Sequence, residues 1–329
     1  MVPGPELLPA VLPTDRLSAR ARPLPPIREE LRRIANRRNA ATVAGALLQS
    51  VGVVVAAAAV DRWWAYAAAV LLAGRGFALL NILGHEAAHR LLFDDRRAND
   101  AVGRWLLAYP ALTPFDVYRR AHMAHHRDEL GPDEPDRRLY AGYPVTRASW
   151  ARKLLRDAVG ISGWKNLRPL LAALGKQGRR PVALRILAAQ LAVAAVLTAA
   201  GVLLAGAWWL YPLCWLLPWM TVWRVLNRLR AVAEHGGMAR SDDRRVTTHV
   251  VRQRPVARFW MVPYHTGWHL AHHVDAGIPW RNLPDLHREL VRAGWVTPGL
   301  EYRSYPALWR ALASRPAGSP AATAATTPA

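Results

Sequence analysis

His122-Met123-Ala124-His125-His126 is the stretch on which the reading of this chain turns. The same H-x-x-H-H spacing returns as His269-Leu270-Ala271-His272-His273. A related H-x-x-x-H occurs as His85-Glu86-Ala87-Ala88-His89. Eight of the twelve histidines fall in these three boxes, an arrangement that random placement would very rarely produce. Residues three and four apart share one face of a helix, so each box is expected to aim its imidazoles at one point. Neutral imidazole is a ligand for iron, zinc and copper. Eight imidazoles exceed the four positions of a closed zinc site, so two metal ions are expected.

The segments around the boxes set the fold class. Residues 40–60 carry no charge, and residues 184–204 are apolar apart from Arg185 at the edge. Residues 207–223 are rich in Trp and Leu, and residues 63–84 run from Trp63-Trp64 to the first box. Crossing the hydrocarbon takes ~20 apolar residues, so these four segments are expected membrane helices. Arg75 is the exception, because a charge at mid-span costs at least ~2.5 kcal/mol, and the sequence offers it no partner. The Arg-rich stretches are the N-terminal arm, residues 90–182 and the segment after 224. The positive-inside rule makes all three cytoplasmic. The expected fold is all-α and polytopic: four transmembrane helices in two hairpins, with both termini and a helical cap bearing the His-rich di-metal site on the cytoplasmic side of the cell membrane.

The net charge of +21 is almost all Arg, since Lys153, Lys165 and Lys176 are the only lysines. Such charge suits nucleic acid or an anionic membrane surface, and the apolar spans argue for the membrane and against nucleic acid. The single Cys214 sits in an apolar run, which excludes a disulfide framework or a thiolate metal site and predicts a buried thiol. Residues 1–26 read as a disordered or extended arm without the apolar core of a signal peptide. Residues 27–39 read as a basic amphipathic interfacial helix. Residues 101–115, broken by Pro110 and Pro114, suit an interfacial or re-entrant element. Residues 130–146 read as loop, 147–180 as headgroup-layer helices, and Ser314–Ala329 as a disordered tail. Three regions follow: 1–39, a membrane domain over 40–290, and 291–329.

The first box also matches H-E-x-x-H, in which Glu86 would be the base of a zinc protease. That chemistry needs one further ligand and leaves two boxes unused. Glu86 is then expected either to orient a ligand imidazole or to be solvated. His235, after the last span, and His265, four residues ahead of His269, are further ligand candidates. His249 and His287 are expected to be solvated.

The three boxes, in this order around paired apolar segments, resemble the membrane fatty acid desaturase family, whose superfamily includes hydroxylases and carotenoid ketolases. The resemblance covers roughly residues 40–290. Glu134-Pro135-Asp136, the Arg230-x-x-x-Glu234-His235 segment, Tyr264-His265-Thr266-Gly267-Trp268-His269 and Ile278-Pro279-Trp280-Arg281-Asn282-Leu283-Pro284 are similar as well. The resemblance implies two iron ions held by His85, His89, His122, His125, His126, His235, His269, His272 and His273, with O2 as co-substrate. Some members carry Asn one turn before the last-helix His; here that place is Ala231, with Asn227 a turn further back. Tyr264 to Trp268 is also similar to the ketolase form of the third box. A hydroxylase or ketolase on the same scaffold is therefore the alternative reaction, and a non-catalytic membrane metal-binding protein the alternative class.

Redox-inert zinc cannot supply the oxidant that an unactivated C–H bond requires, and the resemblance selects iron. The sequence has no flavin, nicotinamide or haem-attachment fingerprint, so electrons are expected from a ferredoxin-type protein or a cytochrome with its reductase. The substrate is expected on an acyl lipid, acyl-CoA or acyl carrier. Arg119-Arg120, Arg137-Arg138, Arg179-Arg180 and Arg244-Arg245 are expected basic surfaces for an acidic donor or an anionic headgroup.

Overall fold

A computed structural model describes residues 1–316. Most of the expected tail, residues 317–329, lies outside the described residues. The chain is mainly helical and divides into two compact units, each assembled from separate stretches. One unit comprises Ala35–Arg119 and Lys153–Asn227. The other comprises Met1–Ile34, Arg120–Arg152 and the residues from Arg228 onward.

Among the described residues, three helical stretches are long and apolar enough to cross a membrane: Ile27–Val60, Trp63–His89 and Arg180–Ala205. The apolar part of each, residues 40–60, 63–84 and 184–204, is Pro-free and rich in Ala, Leu and Val, and Pro181 sits in the first turn of the third. There the missing N–H costs nothing. The third ends at Gly206, whose φ of 65° is left-handed and free of strain for glycine. The Asn36–Val60 and Trp63–His89 helices pack along each other. A Cβ on Gly76 would lie 2.6 Å from Ser50 Oγ, so glycine is what permits this close approach. Arg75 bonds Gln49 Oε1 on the neighbouring helix, which supplies the partner that the sequence did not reveal.

The expected fourth span does not form one long helix. A π-turn covers Pro212–Leu216, a short helix Leu217–Met220, and the backbone breaks at Thr221 (φ −119°, ψ −81°) before a new helix, Val222–His235. Pro218 explains the π-turn. It has no N–H to donate, and its ring clashes with the carbonyl four residues back.

Residues 101–115 form a helix end, a π-turn over Gly103–Ala108 and then irregular backbone. Its carbonyls are satisfied by side chains. Gln190 Nε2 donates to Tyr109 O at 2.7 Å and Pro110 O at 3.0 Å. Trp219 Nε1 donates to Ala111 O at 2.9 Å. Irregular backbone away from water needs such partners. Cys214 is buried, as expected. The basic stretch after residue 147 forms Arg147–Ala158 and Ile161–Ala173, joined at the left-handed Gly160.

In the second unit the N-terminal segment is not a disordered arm. Leu17, Ala21 and Leu31 are buried in one core with Leu270, Ala271, Ile278, Leu286 and Leu290. An antiparallel bridge joins Leu17 to Pro23. The expected 27–39 helix is also corrected. A short helix, Ile27–Leu31, stops, and a new one starts at Asn36. The Leu31 side chain is buried in the core just named, which ties the short helix into this unit. Val250–Val251 pairs in parallel with Glu301–Tyr302.

Candidate metal centre

The first box occupies the last two turns of Trp63–His89, which continues past the expected span end at 84. His85 and His89 share a face there, with ring centroids 4.7 Å apart. Their helix end is pinned within its own unit. Asn99 Nδ2 donates to Ala87 O at 2.9 Å, and Arg119 Nη2 donates to the same carbonyl at 2.9 Å. Glu86 is fully buried, with Oε1 3.8 Å from His85 Nδ1, which removes the solvated alternative.

The other seven family-implied ligands lie in the second unit. His122, His125 and His126 sit on the last turns of Phe115–Arg127, and His269, His272 and His273 on the short helix His269–Val274. His235 ends Val222–His235. The rings gather in two sets. His126 Nε2 is 3.1 Å from both His122 Nε2 and His272 Nε2. His269 Nε2 is 3.1 Å from His235 Nε2 and 3.0 Å from His273 Nε2. The ligand atoms of His125, His235 and His273 all lie within 4.8 Å of one another.

The partners behind these rings decide what the facing nitrogens carry. His235 Nδ1 donates to the Thr247 carbonyl at 2.9 Å, so its Nε2 is a bare lone pair. His273 Nδ1 meets the Glu129 carboxylate, which leaves its Nε2 bare too, and His125 Nδ1 meets Glu134. His269 Nδ1 faces Glu234 Oε1 at 3.6 Å. Burial holds His235, His269 and His273 well below the usual imidazole range, so they are neutral. Lone pairs converging at about 3 Å repel one another unless a cation lies between them. Two nitrogens each ~2.1 Å from a shared ion at a right angle are about 3 Å apart. The geometry and the donor chemistry therefore fit metal. Burial lowers the His125 imidazole, and Glu134 more than reverses this. The net shift is upward, which strengthens its Nε2 for a cation.

Three carboxylates, Glu129, Glu134 and Glu234, stand behind these imidazoles. The sequence reading had placed Glu134 and Glu234 in family-like segments without a role and had passed over Glu129. The local chain explains Glu134. Leu130 is left-handed at φ 60°, and its N–H donates to Glu134 Oε2 at 2.6 Å, which turns the carboxylate back under the second box. An acidic residue a few positions after a ligand His was the available signal.

Four expectations are corrected. His265 does not share the helix of His269, because that helix begins at His269 and both Tyr264 and His265 are left-handed. Its ring lies against Trp280, 5.9 Å between centroids, and it belongs to neither set. His249 is buried, and Nε2 donates to Gly236 O at 2.8 Å. His287 lies against Trp268, with centroids 4.4 Å apart and planes tilted by 33°. Three arginines of the four Arg pairs, Arg119, Arg244 and Arg245, are committed internally. Arg119 bonds Asp100, Arg244 bonds Glu129 at 2.8 Å, and Arg245 bonds Asp243 at 2.6 Å.

Apolar helices of membrane-crossing length and a buried His-rich cluster that could hold metal suggest a membrane protein of metal-binding type. A family model described as fatty acid desaturase matches residues 61–306, and the chain belongs to the fatty acid desaturase family. It is 27% identical over 243 residues to the dihydrorhizobitoxine desaturase of Bradyrhizobium elkanii, covering 66% of this chain and 65% of that protein. It is 27% identical over 100 residues to an sn-1 acyl-lipid omega-3 desaturase (ferredoxin) of Nostoc sp. (strain 36), covering 30% of this chain and 26% of that protein. A protein of the same name from Synechocystis sp. is 30% identical over 105 residues, covering 30% of this chain and 28% of that protein. The chain thus spans just under two thirds of the first relative and about a quarter of the two cyanobacterial ones.

Proposed function

We propose that this chain is a membrane di-iron desaturase that uses O2 to introduce a C=C bond into an acyl chain. The observation that carries this reading is the convergence of imidazole Nε2 atoms in two sets, each at the spacing two ligands of one ion require. His122, His126 and His272 would hold one ion, and His125, His235, His269 and His273 the other. His85 and His89, paired on one helix face, are assigned to the same centre by the family motif. Bound iron supplies, with O2 and two electrons from outside, the oxidising power that a C–H bond demands.

The balance is one O2, two electrons, two protons and a –CH2–CH2– unit in, and a –CH=CH– unit and two waters out. The chain's own residues do the rest. Thr247 O and the three carboxylates fix ring orientation, and the burial of His125, His235, His272 and His273 excludes water. A ferredoxin-type donor, or a cytochrome with its reductase, would deliver the electrons, as the names of the cyanobacterial relatives suggest. Those names also support an acyl-lipid substrate over acyl-CoA or an acyl carrier. The three apolar stretches, with the broken 207–223 segment as a fourth crossing, would place both termini and the boxes on the cytoplasmic side of the cell membrane.

The Tyr264 to Trp268 context favours a second reading, a hydroxylase or ketolase on the same centre. Mass spectrometry of lipids from an expressing host separates the two. Products lighter by two hydrogens mean desaturation, and products heavier by one oxygen mean hydroxylation. Iron at two per chain without either product would leave a metal-binding protein.

A further inference from the structure

Glu129 is 2% exposed, and its ligand-type oxygen lies within 4.8 Å of those of both His126 and His273. These two histidines belong to different sets. His126 Nε2 faces His122 and His272, whereas His273 Nε2 faces His269. One carboxylate therefore bonds a ligand of one ion and lies within 4.8 Å of a ring nitrogen of a ligand of the other. Three contacts hold it there. His273 Nδ1 bonds Oε1, Arg244 Nη1 lies 2.8 Å from the same oxygen, and the Thr247 hydroxyl donates to Oε2 at 2.5 Å. Arg244 also donates to the His126 carbonyl at 3.4 Å. Thr247 supplies, through its own carbonyl, the acceptor for His235 Nδ1.

The geometry points to Glu129 as a positioning residue that serves both metal ions at once, with Arg244 and Thr247 as its anchors. The inference rests on the di-metal reading above and deepens it. An anion behind an imidazole fixes the ring and raises its basicity, and losing such a partner lowers metal affinity by about 10–100-fold. Because Glu129 bonds His273 of one set, lies beside His126 of the other and pairs with the Arg244 that reaches the His126 carbonyl, its loss weakens both ions together. Glu134 and Glu234 each stand behind a ring of one set only.

The test is titration of the metal-free full-length protein in detergent with cobalt(II), following the d–d absorption bands, for wild type, Glu129→Gln, Glu134→Gln and Arg244→Gln. Wild type is expected to take two ions. Glu129→Gln is expected to bind both about 10–100-fold more weakly with shifted bands, and Glu134→Gln to weaken one ion alone. Arg244→Gln keeps Glu129 in place but releases its anchor, so it shifts the bands in the same sense by a smaller amount. It also stands in should Glu129→Gln fail to fold. Unchanged affinity and bands in Glu129→Gln, or weakening of a single ion, would overturn the role assigned to Glu129. So would bands left unshifted by Arg244→Gln. Failure of wild type to bind cobalt would instead remove the di-metal reading itself.

Discussion

The Arg28 guanidinium donates to both carboxylate oxygens of Asp275, at 2.6 Å and 3.3 Å, and so ties the N-terminal segment to the residue that ends the third-box helix. Asp275 is 4% exposed, while the Arg28 side chain is 34% exposed. The carboxylate holds the Arg28 guanidinium above its ordinary value through this hydrogen bond. Asp275 Oδ1 also accepts from the Gly277 N–H at 3.0 Å. The ion pair thus braces the backbone immediately after His272 and His273.

Arg28→Ala should leave a buried carboxylate short of its cation. The expected loss is about 1–3 kcal/mol, the lower end reflecting solvent access to Arg28. Thermal unfolding followed by circular dichroism checks it. Deletion of residues 1–31 should cost more, because Leu17, Ala21 and Leu31 leave the core as well. A truncated protein as stable as wild type would mean that the segment contributes nothing to this core.

His125→Ala and His272→Ala should each lower bound iron and abolish product, because each removes a ring from one of the two sets. His265→Ala should leave metal content unchanged, since that ring lies against Trp280. Metal analysis of the three purified variants is the measurement. A fall in iron for His265→Ala would return that residue to the site.

His249 makes stability depend on pH. Burial pushes its imidazole down to about 4 from an ordinary value of 6.5. The unfolded chain therefore binds the proton more readily than the folded one between those values. Stability from this group is complete above about pH 6.5, declines as pH falls, and is exhausted below about pH 4, a swing of up to roughly 3 kcal/mol. His249→Gln can keep a donor for the Gly236 carbonyl while removing the titration. The difference in melting temperature between wild type and His249→Gln should shrink or reverse from pH 7 to pH 4.5. A constant difference would show that His249 is not the titrating group.

The parts of the fold and site legible in the sequence were those set by short-range spacing. H-x-x-H-H predicts a shared helix face, and His122, His125 and His126 lie together on one, because helical periodicity fixes that relation locally. Likewise the apolar runs at 40–60, 63–84 and 184–204 fall within the long helices. What spacing cannot show is which distant polar group meets a ring. Glu129 reaches His273 across 144 residues of chain, and Arg28 reaches Asp275 across 247. Solvent exposure was misread at His249 and His287 for the same reason. An isolated His carries no local mark of being covered, and the Gly236 carbonyl and the Trp268 ring arrive from elsewhere. Hydropathy alone does not show that the 207–223 segment is broken, although Pro218 is visible in the sequence and forecasts the local unwinding.

The ring contact of His287 with Trp268 separates a structural His from a ligand. Trp268 is the residue before the third-box helix, and His287 lies on Leu283–Arg292, whose Leu283, Leu286 and Leu290 are buried. The contact therefore couples that helix to the start of the box. Burial pushes the His287 imidazole down to about 4, so the ring is neutral at pH 7 and packs as an aromatic. His287→Ala should lower stability by about 1–2 kcal/mol through lost ring contact, with two ions still bound per chain. His287→Phe should restore much of the stability, because the contact is made by a ring face and not by a ligand nitrogen. Thermal melting and metal analysis on the same samples check both parts. Loss of metal in His287→Phe, with stability intact, would make His287 part of the centre.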